Sequence, residues 1–102
     1  MARFDIYKYG GKAVPFVLDV QADLLSDLNT CAVIPLVPEK QAMKEVLSKL
    51  KPIIQVDGLN YILMTTDIGT VTRSSLGEHI TNVENDYRQE ITEAIDFLFQ
   101  GF

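Results

Sequence analysis

The chain has 102 residues, of which 47% are hydrophobic, and its net charge is -5 at pH 7. This length fits one domain, and this apolar content is typical of a folded globular protein, so we expect residues 1–102 to form a single domain. The basic residues are scattered along the sequence. Direct binding to nucleic acid is therefore disfavoured, because such binding depends on a basic patch. The acidic balance favours a protein partner, and a basic one in particular.

The sequence also argues against a membrane protein and against a disulfide scaffold. No apolar run approaches the roughly 20 residues that span a bilayer, and no signal-like segment opens the chain. We therefore expect a cytoplasmic protein with no membrane contact. Cys31 is the only cysteine, so no internal disulfide can form. Its place at the start of an apolar run predicts a buried residue rather than a reactive thiol.

Two short strands are predicted at the start of the chain. Residues 3–9 alternate, with Phe4 and Ile6 on one side, and residues 15–20 form a second β-prone run. Gly10-Gly11 lies between them, so the two runs are expected to form a hairpin. The loop that follows, Gln21 to Thr30, is rich in turn-forming residues. The three leucines of this loop are expected either to plug one end of the core or to face a partner: Leu24, Leu25 and Leu28.

The middle of the chain predicts further strands and one ambiguous segment. Residues 31–36 read as a buried strand in which Pro35 marks an end, an edge or a bulge. Residues 53–56 and 61–66 flank an Asp-Gly pair, which is a strong hairpin signal. Residues 70–72 are a further short strand. Between them, the apolar spacing of residues 39–50 predicts a short helix.

The last stretch of the chain, from Thr81 to Phe102, predicts a long helix. Thr81 and Glu84 have the spacing of a capping box at its start. The apolar residues recur at steps of three and four along one face: Val83, Tyr87, Ile91, Ala94, Ile95, Leu98 and Phe102. The aromatic end (Phe97, Phe99, Phe102) either extends this core contact or meets a partner. Many short strands and one terminal helix predict a small, strongly bent sheet, a barrel or half-barrel with the helix over one opening.

No arrangement of residues in the sequence predicts catalysis. His79 is the only histidine and lies just before the predicted capping box, where a partly exposed structural role is expected. Asp19 and Asp23 are four residues apart, but they fall between a strand and a loop, which leaves their geometry open. No spacing of metal ligands and no phosphate-binding glycine loop is visible. We therefore expect a protein that is not an enzyme and needs no cofactor or metal.

Four segments together resemble one known family, the CcdB-type toxins of toxin–antitoxin modules. The segments are Asp19-Val20-Gln21-Ala22-Asp23-Leu24-Leu25, Val33-Ile34-Pro35-Leu36, Met64-Thr65-Thr66-Asp67, and Ala94 to Phe99 with the closing Gly101-Phe102. The resemblance runs almost from end to end. It implies an SH3-like barrel with a C-terminal helix, assembled as a homodimer. It also implies an extended backbone for Glu39 to Leu50, against the local helical pattern.

The resemblance further implies a function and two sets of contact residues. Members of this family poison DNA gyrase without catalysis, by binding its A subunit and trapping the complex with cleaved DNA. The gyrase-binding set carried over by position is Arg3, Phe4, Tyr7, Ala22, Leu24, Leu25, Asp96, Gln100, Gly101 and Phe102. The set expected to bind a CcdA-type antitoxin is Lys8, Tyr9, Gly10, Gly11 and Lys12. DNA would be bound only indirectly, through the toxin–antitoxin complex that regulates its own operon.

One departure from the family keeps other functions open. The best-known members of the family end in Trp-Gly-Ile, and Gln100 stands here where they have tryptophan. A large stacking surface is thereby replaced by a polar amide. The alternative is a non-toxic relative that binds antitoxin and contributes to operon autoregulation. A third hypothesis is a ribonuclease, because a related toxin family shares the barrel; the acidic charge and the lack of a catalytic cluster argue against it.

Overall fold

The computed structural model describes residues 2–11, 13–42 and 49–101. Within these ranges a curled, half-barrel sheet is followed by a C-terminal helix, which confirms the predicted fold class. The strands are β1 (Asp5–Lys8), β2 (Phe16–Asp19), β3 (Thr30–Pro38), β4 (Ile53–Val56), β5 (Leu59–Leu63), β6 (Gly69–Thr72) and β7 (His79–Asn82). The helices are α1 (Glu39–Ala42) and α2 (Glu84–Gln100). No helix in the described ranges is long and apolar enough to cross a membrane.

The sheet is antiparallel and is organised around the long strand β3. Its order is β4-β5-β3-β2-β1-β7, with β6 paired to β3 outside this path. The first half of β3 pairs with β6 and the second half with β5, so β3 changes partners between Val33 and Leu36. Pro35 lies at this change of partner. The Pro35 carbonyl accepts a hydrogen bond from the Met64 amide at 2.9 Å, on the side of β3 that faces away from β2. The missing amide donor of Pro35 is on the same side, so it takes no hydrogen bond from the ladder between β3 and β2.

Two hairpins form as the sequence predicts. Ile6 pairs with Leu18 across β1 and β2. β4 and β5 are joined by Asp57 and Gly58, which both have positive φ values, 52° and 81°. Two consecutive positive φ angles are what a type I′ turn needs, and the Asp-Gly pair supplies them at low cost. The second strand of this hairpin ends earlier than predicted, because Thr65–Asp67 forms a 3-10 turn.

Alternate residues of the strands build two main apolar clusters on opposite sides of the sheet, and Ile62 and Met64 form a small third one. The larger cluster is covered by α2 and contains the buried residues Ile6, Leu18, Ile34, Leu36, Ile54, Val56, Leu63 and Ile91, among others. The smaller one contains Tyr7, Val17, Cys31 and Val33, packed by Val14, Val71 and Leu76. Burying a single large aliphatic side chain contributes about 2 kcal/mol, so the alternation along the strands fixes their register.

α2 places its predicted apolar stripe on the larger cluster. Ile91 and Ala94 are fully buried, and Tyr87 and Ile95 are partly buried against the cluster. The Tyr87 hydroxyl reaches the edge of the sheet and accepts a hydrogen bond from the Gln55 amide at 3.2 Å. α2 also follows directly after β7, so the helix spans from one end of the curled sheet to the other.

The predicted start of the helix is wrong in detail. Thr81 lies in β7, a strand that the sequence analysis did not predict, and it pairs with Ile6. The Glu84 amide is instead capped by the side-chain oxygen of Asn82 at 2.9 Å. Residues 79–82 form a strand because the edge of β1 is free to pair with them. The hydrogen bonds of this ladder outweigh the local preference for a capping box.

The segment after β3 begins as a helix. Glu39–Ala42 is helical, so the extended backbone implied by the family resemblance is wrong for these four residues. The remainder of the helix predicted at Glu39 to Leu50 falls mainly on residues 43–48, which lie outside the described residues.

Candidate functional site

The motif Asp19 to Asp23 builds a hydrogen-bonded loop, and Gln21 is its centre. The Asp19 carboxylate accepts a hydrogen bond from the Gln21 amide at 2.9 Å. The side-chain amide of Gln21 donates to the carbonyls of Leu25 and Thr30, at 3.1 and 3.2 Å, and accepts from the Ala32 amide at 3.2 Å. One side chain thus ties both ends of the loop, which we name the leucine loop (residues 21–30).

The N-terminal segment is attached to this loop through Arg3. The Arg3 amide donates to the Asp23 carboxylate at 2.6 Å, and its guanidinium Nε donates to the Val20 carbonyl at 3.1 Å. The guanidinium also lies 4.9 Å from the ring centre of Phe4. Arg3 therefore lies beside Ala22 and the leucines in space, although it is about 20 positions away in the chain.

A second arginine holds the other end of the leucine loop. Arg73 donates from Nε to the Leu28 carbonyl at 2.6 Å and from its backbone amide to the Asn29 carbonyl at 2.8 Å. A 3-10 turn at Asp23–Leu25 closes the loop from within. The loop backbone is thus tied by side chains from three parts of the chain, which restricts its conformations before any partner binds.

The leucines of this loop point away from the protein. Leu24 is 92% exposed, Leu25 45% and Leu28 48%. Leu24 therefore does not plug the core, and its contact with a partner stays a prediction. Three exposed leucines on a tied loop form an apolar projection of the kind that marks an interaction site.

The base of the leucine loop contains a buried carboxyl group, Asp19, beside the Cys31 thiol. Burial raises the pKa of Asp19, although hydrogen bonds from the Gln21 amide and from Cys31 oppose the shift. Burial, together with the nearby Asp19 charge, raises the pKa of the Cys31 thiol to about 12. The thiol is therefore protonated at neutral pH, and the prediction that Cys31 is a buried residue is confirmed.

A second buried carboxylate, Asp5, joins the N-terminus to β7. It accepts hydrogen bonds from the Ala2 amide at 2.7 Å, the Tyr7 hydroxyl at 3.1 Å, the Asn82 amide at 2.9 Å and His79 Nε2 at 3.0 Å. Burial alone would raise the pKa of Asp5, but these hydrogen bonds outweigh it and lower the pKa. Burial, followed by the charge of Asp5, raises the pKa of the Tyr7 hydroxyl.

His79 is partly exposed, as the sequence analysis expected, and its role stays a prediction. Its side chain is half exposed and its ring meets Tyr7 edge-on, with centroids 5.5 Å apart. Across residues 2–11, 13–42 and 49–101, no three His, Cys, Asp or Glu residues are grouped so that they could hold a metal ion.

The end of α2 carries the second group of predicted contact residues. Asp96 and Gln100 are exposed. Gly101 has a φ of 78° and donates to the Phe97 carbonyl, which is the left-handed C-cap that glycine adopts most easily. Phe99 is 68% exposed. Phe102 lies outside the described residues.

The residues expected to bind an antitoxin line an open groove beside the β1–β2 hairpin. The groove has a volume of about 600 Å³ and is lined by Lys8, Tyr9, Gly10, Gly11, Pro15, Phe16, Ser75, Gly77 and Glu78. Gly77 is required there, because a Cβ atom would lie 2.9 Å from the Lys8 carbonyl oxygen. An ion pair of 3.6 Å joins Lys8 and Glu78 at the rim. Lys12 lies outside the described residues.

The structure divides the predicted gyrase-binding residues into three groups. Arg3, Ala22, Leu24 and Leu25 come together at the leucine loop, and Asp96, Gln100 and Gly101 lie at the end of α2. Phe4 and Tyr7 are 2% and 6% exposed, and they belong to the larger and the smaller apolar cluster respectively. The sequence predicted two faces for this segment, but it did not show that both faces are buried.

Sequence reasoning missed the residues that position the site. Gln21, Asn82 and Arg73 were not assigned roles, although each ties distant segments together. Gln21 was the easiest of the three to identify from the sequence, because it lies within the Asp19-Val20-Gln21 motif. Nothing local identifies Asn82 or Arg73, whose partners lie 79 and 45 positions away.

Comparison with known proteins places this geometry in context. The fold is similar to that of a solved endoribonuclease in complex with its cognate antitoxin from a mycobacterial species, with a TM-score of 0.79. The two chains are 14% identical, and the similarity covers 97% of this chain and 94% of the other. At this identity the likeness concerns the fold alone. The family model described as CcdB protein matches residues 3–101. Because this match spans nearly the whole sequence, the chain belongs to the CcdB family, the toxins of toxin–antitoxin modules.

Proposed function

We propose that this toxin poisons DNA gyrase by binding its A subunit and trapping the complex with cleaved DNA, without catalysis of its own. The observation that carries the proposal is the leucine loop, whose most exposed side chain is the 92% exposed Leu24. An exposed apolar side chain on a backbone tied by Gln21, Arg3 and Arg73 is organised before binding. Less conformational entropy is then lost when it enters a pocket of a partner.

The proposed contact surface has two parts. Arg3, Ala22, Leu24 and Leu25 form the first, and the last turn of α2 with Asp96, Gln100 and Gly101 forms the second, with Phe102 as a further member. Phe4 and Tyr7 contribute indirectly, because they are buried and anchor the segment that follows Arg3. Gln100 offers amide hydrogen bonds where other family members have an aromatic ring, so we propose that the leucine loop supplies most of the apolar contact.

An antitoxin is the second proposed partner. The similar endoribonuclease was solved with its cognate antitoxin, and the groove beside the β1–β2 hairpin offers aromatic and backbone surface to an extended segment. We propose that a CcdA-type antitoxin occupies this groove through Lys8, Tyr9, Gly10, Gly11 and Lys12. We further propose a cytoplasmic homodimer that contacts DNA only through the antitoxin complex, as part of operon autoregulation.

A gyrase cleavage assay tests the main proposal. Purified gyrase, supercoiled plasmid and the toxin are incubated, and linear DNA is measured after denaturation. The wild type is expected to produce linear DNA, and Leu24→Ser with Leu25→Ser to reduce it by on the order of 100-fold, as loss of an anchoring pair implies. Leu59→Ser is the matched control, since Leu59 is 64% exposed on the β4–β5 hairpin.

A version of the chain ending at Phe99 separates the two parts of the surface. Linear DNA from the full chain but not from the shortened one would assign poisoning to the last turn. Equal linear DNA from both would leave the leucine loop as the active part. If a folded wild type yields no linear DNA, the proposal fails, and the antitoxin-binding relative without toxicity takes its place.

RNA cleavage is the second candidate, and one arrangement in the structure favours it. The half-exposed His79 is oriented by the buried Asp5 at 3.0 Å, which is the pairing of a general base with its orienting group. RNA from cells expressing the toxin distinguishes the two functions. Intact RNA beside cleaved DNA supports gyrase poisoning, and RNA fragments that disappear with His79→Gln would support a ribonuclease.

A further inference from the structure

Residues 2–5 form a tight turn whose backbone is strained. The Asp5 amide donates to the Ala2 carbonyl at 3.1 Å, and Phe4, the third residue of the turn, has a φ of 74°. The φ of Arg3 is not positive, so the turn is of type II, whose third position is usually glycine. A bulky residue such as Phe4 keeps a left-handed backbone only where its surroundings impose it.

Two distant elements hold the strained residue. The Phe4 amide donates to the Asp19 carbonyl at 2.7 Å, and the Phe4 carbonyl accepts from the Val83 amide at 3.0 Å. The Phe4 side chain is buried in the larger apolar cluster. The turn is therefore held between the end of β2 and the start of α2, and a change at either element can reach it.

The side chain of Asn82 adds a third hold, in the middle of the turn. Its Nδ2 donates to the Arg3 carbonyl at 3.1 Å and to Asp5 Oδ1 at 2.9 Å, and its Oδ1 accepts from the Glu84 amide at 2.9 Å. Both amide hydrogens thus face acceptors and the oxygen faces a donor. This set of partners suits an amide, because a carboxylate has no hydrogen to donate and a hydroxyl has only one.

The turn passes this constraint on to the leucine loop. The Arg3 amide donates to the Asp23 carboxylate at 2.6 Å. Asp23 precedes Leu24 and begins the 3-10 turn of the loop, whereas the side chains of Gln21 and Arg73 bind carbonyls at residues 25–30. A single residue, Arg3, therefore connects Asn82 to the part of the loop that carries Leu24.

We propose that Asn82 is a positioning residue for the leucine loop, which acts through the turn of residues 2–5 on Asp23 and Leu24. The proposal rests on the leucine loop as the contact surface proposed above. Without the two donations of Asn82 the strained turn relaxes, and the Arg3 amide leaves the Asp23 carboxylate. A smaller fraction of molecules then holds Leu24 ready to bind, and the apparent affinity for the target falls by that fraction.

The same side chain also couples the loop to α2. Asn82 Oδ1 caps the first turn of that helix while Nδ2 holds the turn of residues 2–5. Because α2 carries the second part of the proposed contact surface at its other end, the two parts are joined through Asn82.

Asn82→Ser separates positioning from capping. Serine caps a helix about as well as asparagine, so the start of α2 stays capped, but its one hydroxyl hydrogen cannot replace both donations. The amides of Leu25 and Ser26 close the 3-10 turn, through bonds to the carbonyls of residues 22 and 23. Their hydrogen exchange should accelerate by on the order of 10-fold. The Met64 amide, which bonds to a carbonyl of β3, should exchange as in the wild type.

Glu84→Gln is the matched control. It removes the 3.3 Å ion pair with Arg88 in the helical turn that Asn82 caps, and it leaves the turn of residues 2–5 untouched. Exchange at Leu25 and Ser26 should therefore stay unchanged. If Asn82→Ser leaves exchange at Leu25 and Ser26 unchanged, or accelerates the Met64 amide equally, Asn82 does not position the loop.

A variant at Arg3 tests the relay from its other end and keeps the test decisive if Asn82→Ser does not fold. Arg3→Pro suits the second position of a type II turn, and it removes the amide that binds Asp23 while keeping the carbonyl that binds Asn82. Arg3→Ala, its control, loses the same side chain but keeps the amide. Exchange at Leu25 and Ser26 should be on the order of 10-fold faster in Arg3→Pro than in Arg3→Ala.

Combining the two changes tests whether they act along one path. Added to Arg3→Pro, Asn82→Ser should accelerate loop exchange little further, because the relay is already broken. Equal exchange in Arg3→Pro and Arg3→Ala, or fully additive effects of Arg3→Pro and Asn82→Ser, would overturn the proposal.

The gyrase assay supplies a functional readout of positioning. In Asn82→Ser, the toxin concentration for half-maximal linear DNA should rise by on the order of 10-fold while the maximal yield stays that of the wild type, since fewer molecules are ready to bind but each still binds in the same way. A lower maximal yield with an unchanged half-maximal concentration would contradict a positioning role.

Hydrogen exchange is measured on the toxin alone, so its outcome is separable from that of the gyrase proposal. A loop released by Asn82→Ser in a protein that produces no linear DNA would refute gyrase poisoning and leave the positioning role intact. Linear DNA from a protein whose loop exchange is unaffected by Asn82→Ser would do the reverse.

Discussion

Asp5 and Asp19 lie on neighbouring strands of one sheet and are both almost fully buried, at 6% and 3% exposed. Their pKa values nevertheless shift in opposite directions. The pKa of Asp5 is lowered and that of Asp19 is raised. Burial alone therefore does not decide the direction in which the pKa of these carboxyl groups shifts.

The difference lies in the number of donors that face each group. Asp5 accepts from four donors, two on each oxygen. Asp19 accepts from the Gln21 amide, and the Cys31 thiol, a weak donor, lowers its pKa only slightly further. Donors to a carboxylate stabilise its charged form, and a buried carboxylate with few donors favours the neutral form. One carboxylate thus holds a firm junction of the N-terminus, β1 and β7, and the other begins the leucine loop.

Removing the charge of Asp5 should have the largest effect on stability. In Asp5→Asn, only one side-chain oxygen can accept, so two of the four donors lose their partner in a buried site. We expect the free energy of unfolding to fall by about 3 kcal/mol, measured by urea denaturation. Asp27→Asn, in the exposed leucine loop, is the control and should change stability by less than about 0.5 kcal/mol. Equal effects from the two variants would contradict the role of the Asp5 junction.

Gln21→Leu should destabilise the leucine loop, which begins after Asp19. It removes three hydrogen bonds that tie Leu25, Thr30 and Ala32, so we expect a loss of about 2 kcal/mol in the free energy of unfolding. Gln89→Leu, on the exposed face of α2, is the matched control. Faster hydrogen exchange at residues 22–30 but not in β1 should accompany Gln21→Leu. Uniform exchange across the chain would show that the loop is not a separate unit.

His79→Gln replaces one of the four donors to Asp5 and should cost less than Asp5→Asn. An amide at this position can still donate, so we expect a loss of about 1 kcal/mol in the free energy of unfolding. The partial effect also serves as a test of additivity. In the double variant with Asp5→Asn, His79→Gln should add little, because its partner is already altered. Full additivity would indicate that the two side chains act independently.

The smallest expected effects concern the pH dependence of stability, to which Asp5 and Asp19 should contribute in opposite directions. The pKa of Asp5 is lowered from 3.8, so its contribution to stability is present above that pH and is lost as the pH falls through the folded-state value. The pKa of Asp19 is raised from 3.8, so its contribution is present below that pH and is lost as the pH rises through the folded-state value.

Unfolding curves measured between pH 3 and pH 7 should therefore change in opposite ways in the two variants. Asp5→Asn should reduce the loss of stability toward acid. Asp19→Asn should reduce the loss of stability as the pH rises from about 4. Parallel curves for the wild type and Asp19→Asn would show that Asp19 does not titrate differently in the folded state.

Several features of the fold and site could be predicted from the sequence because their causes are local. The Asp-Gly turn, the β1–β2 hairpin and the apolar stripe of α2 depend on residues within a few positions of one another. The burial of Cys31 follows from the apolar run around it. The leucine loop could be identified as a candidate contact because leucines in a polar segment are unusual wherever the loop lies.

Other features were decided only by tertiary structure, since their partners are far apart in the chain. β7 replaced the predicted capping box because the edge of β1 was available to residues 79–82. Pro35 could occupy the long strand β3 because two different strands meet at that point. The opposite pKa shifts of Asp5 and Asp19 depend on donors from the N-terminus, β7 and β3. Local preferences thus set which segments form strands and helices, whereas long-range hydrogen bonds determined how those segments end, join and carry charge.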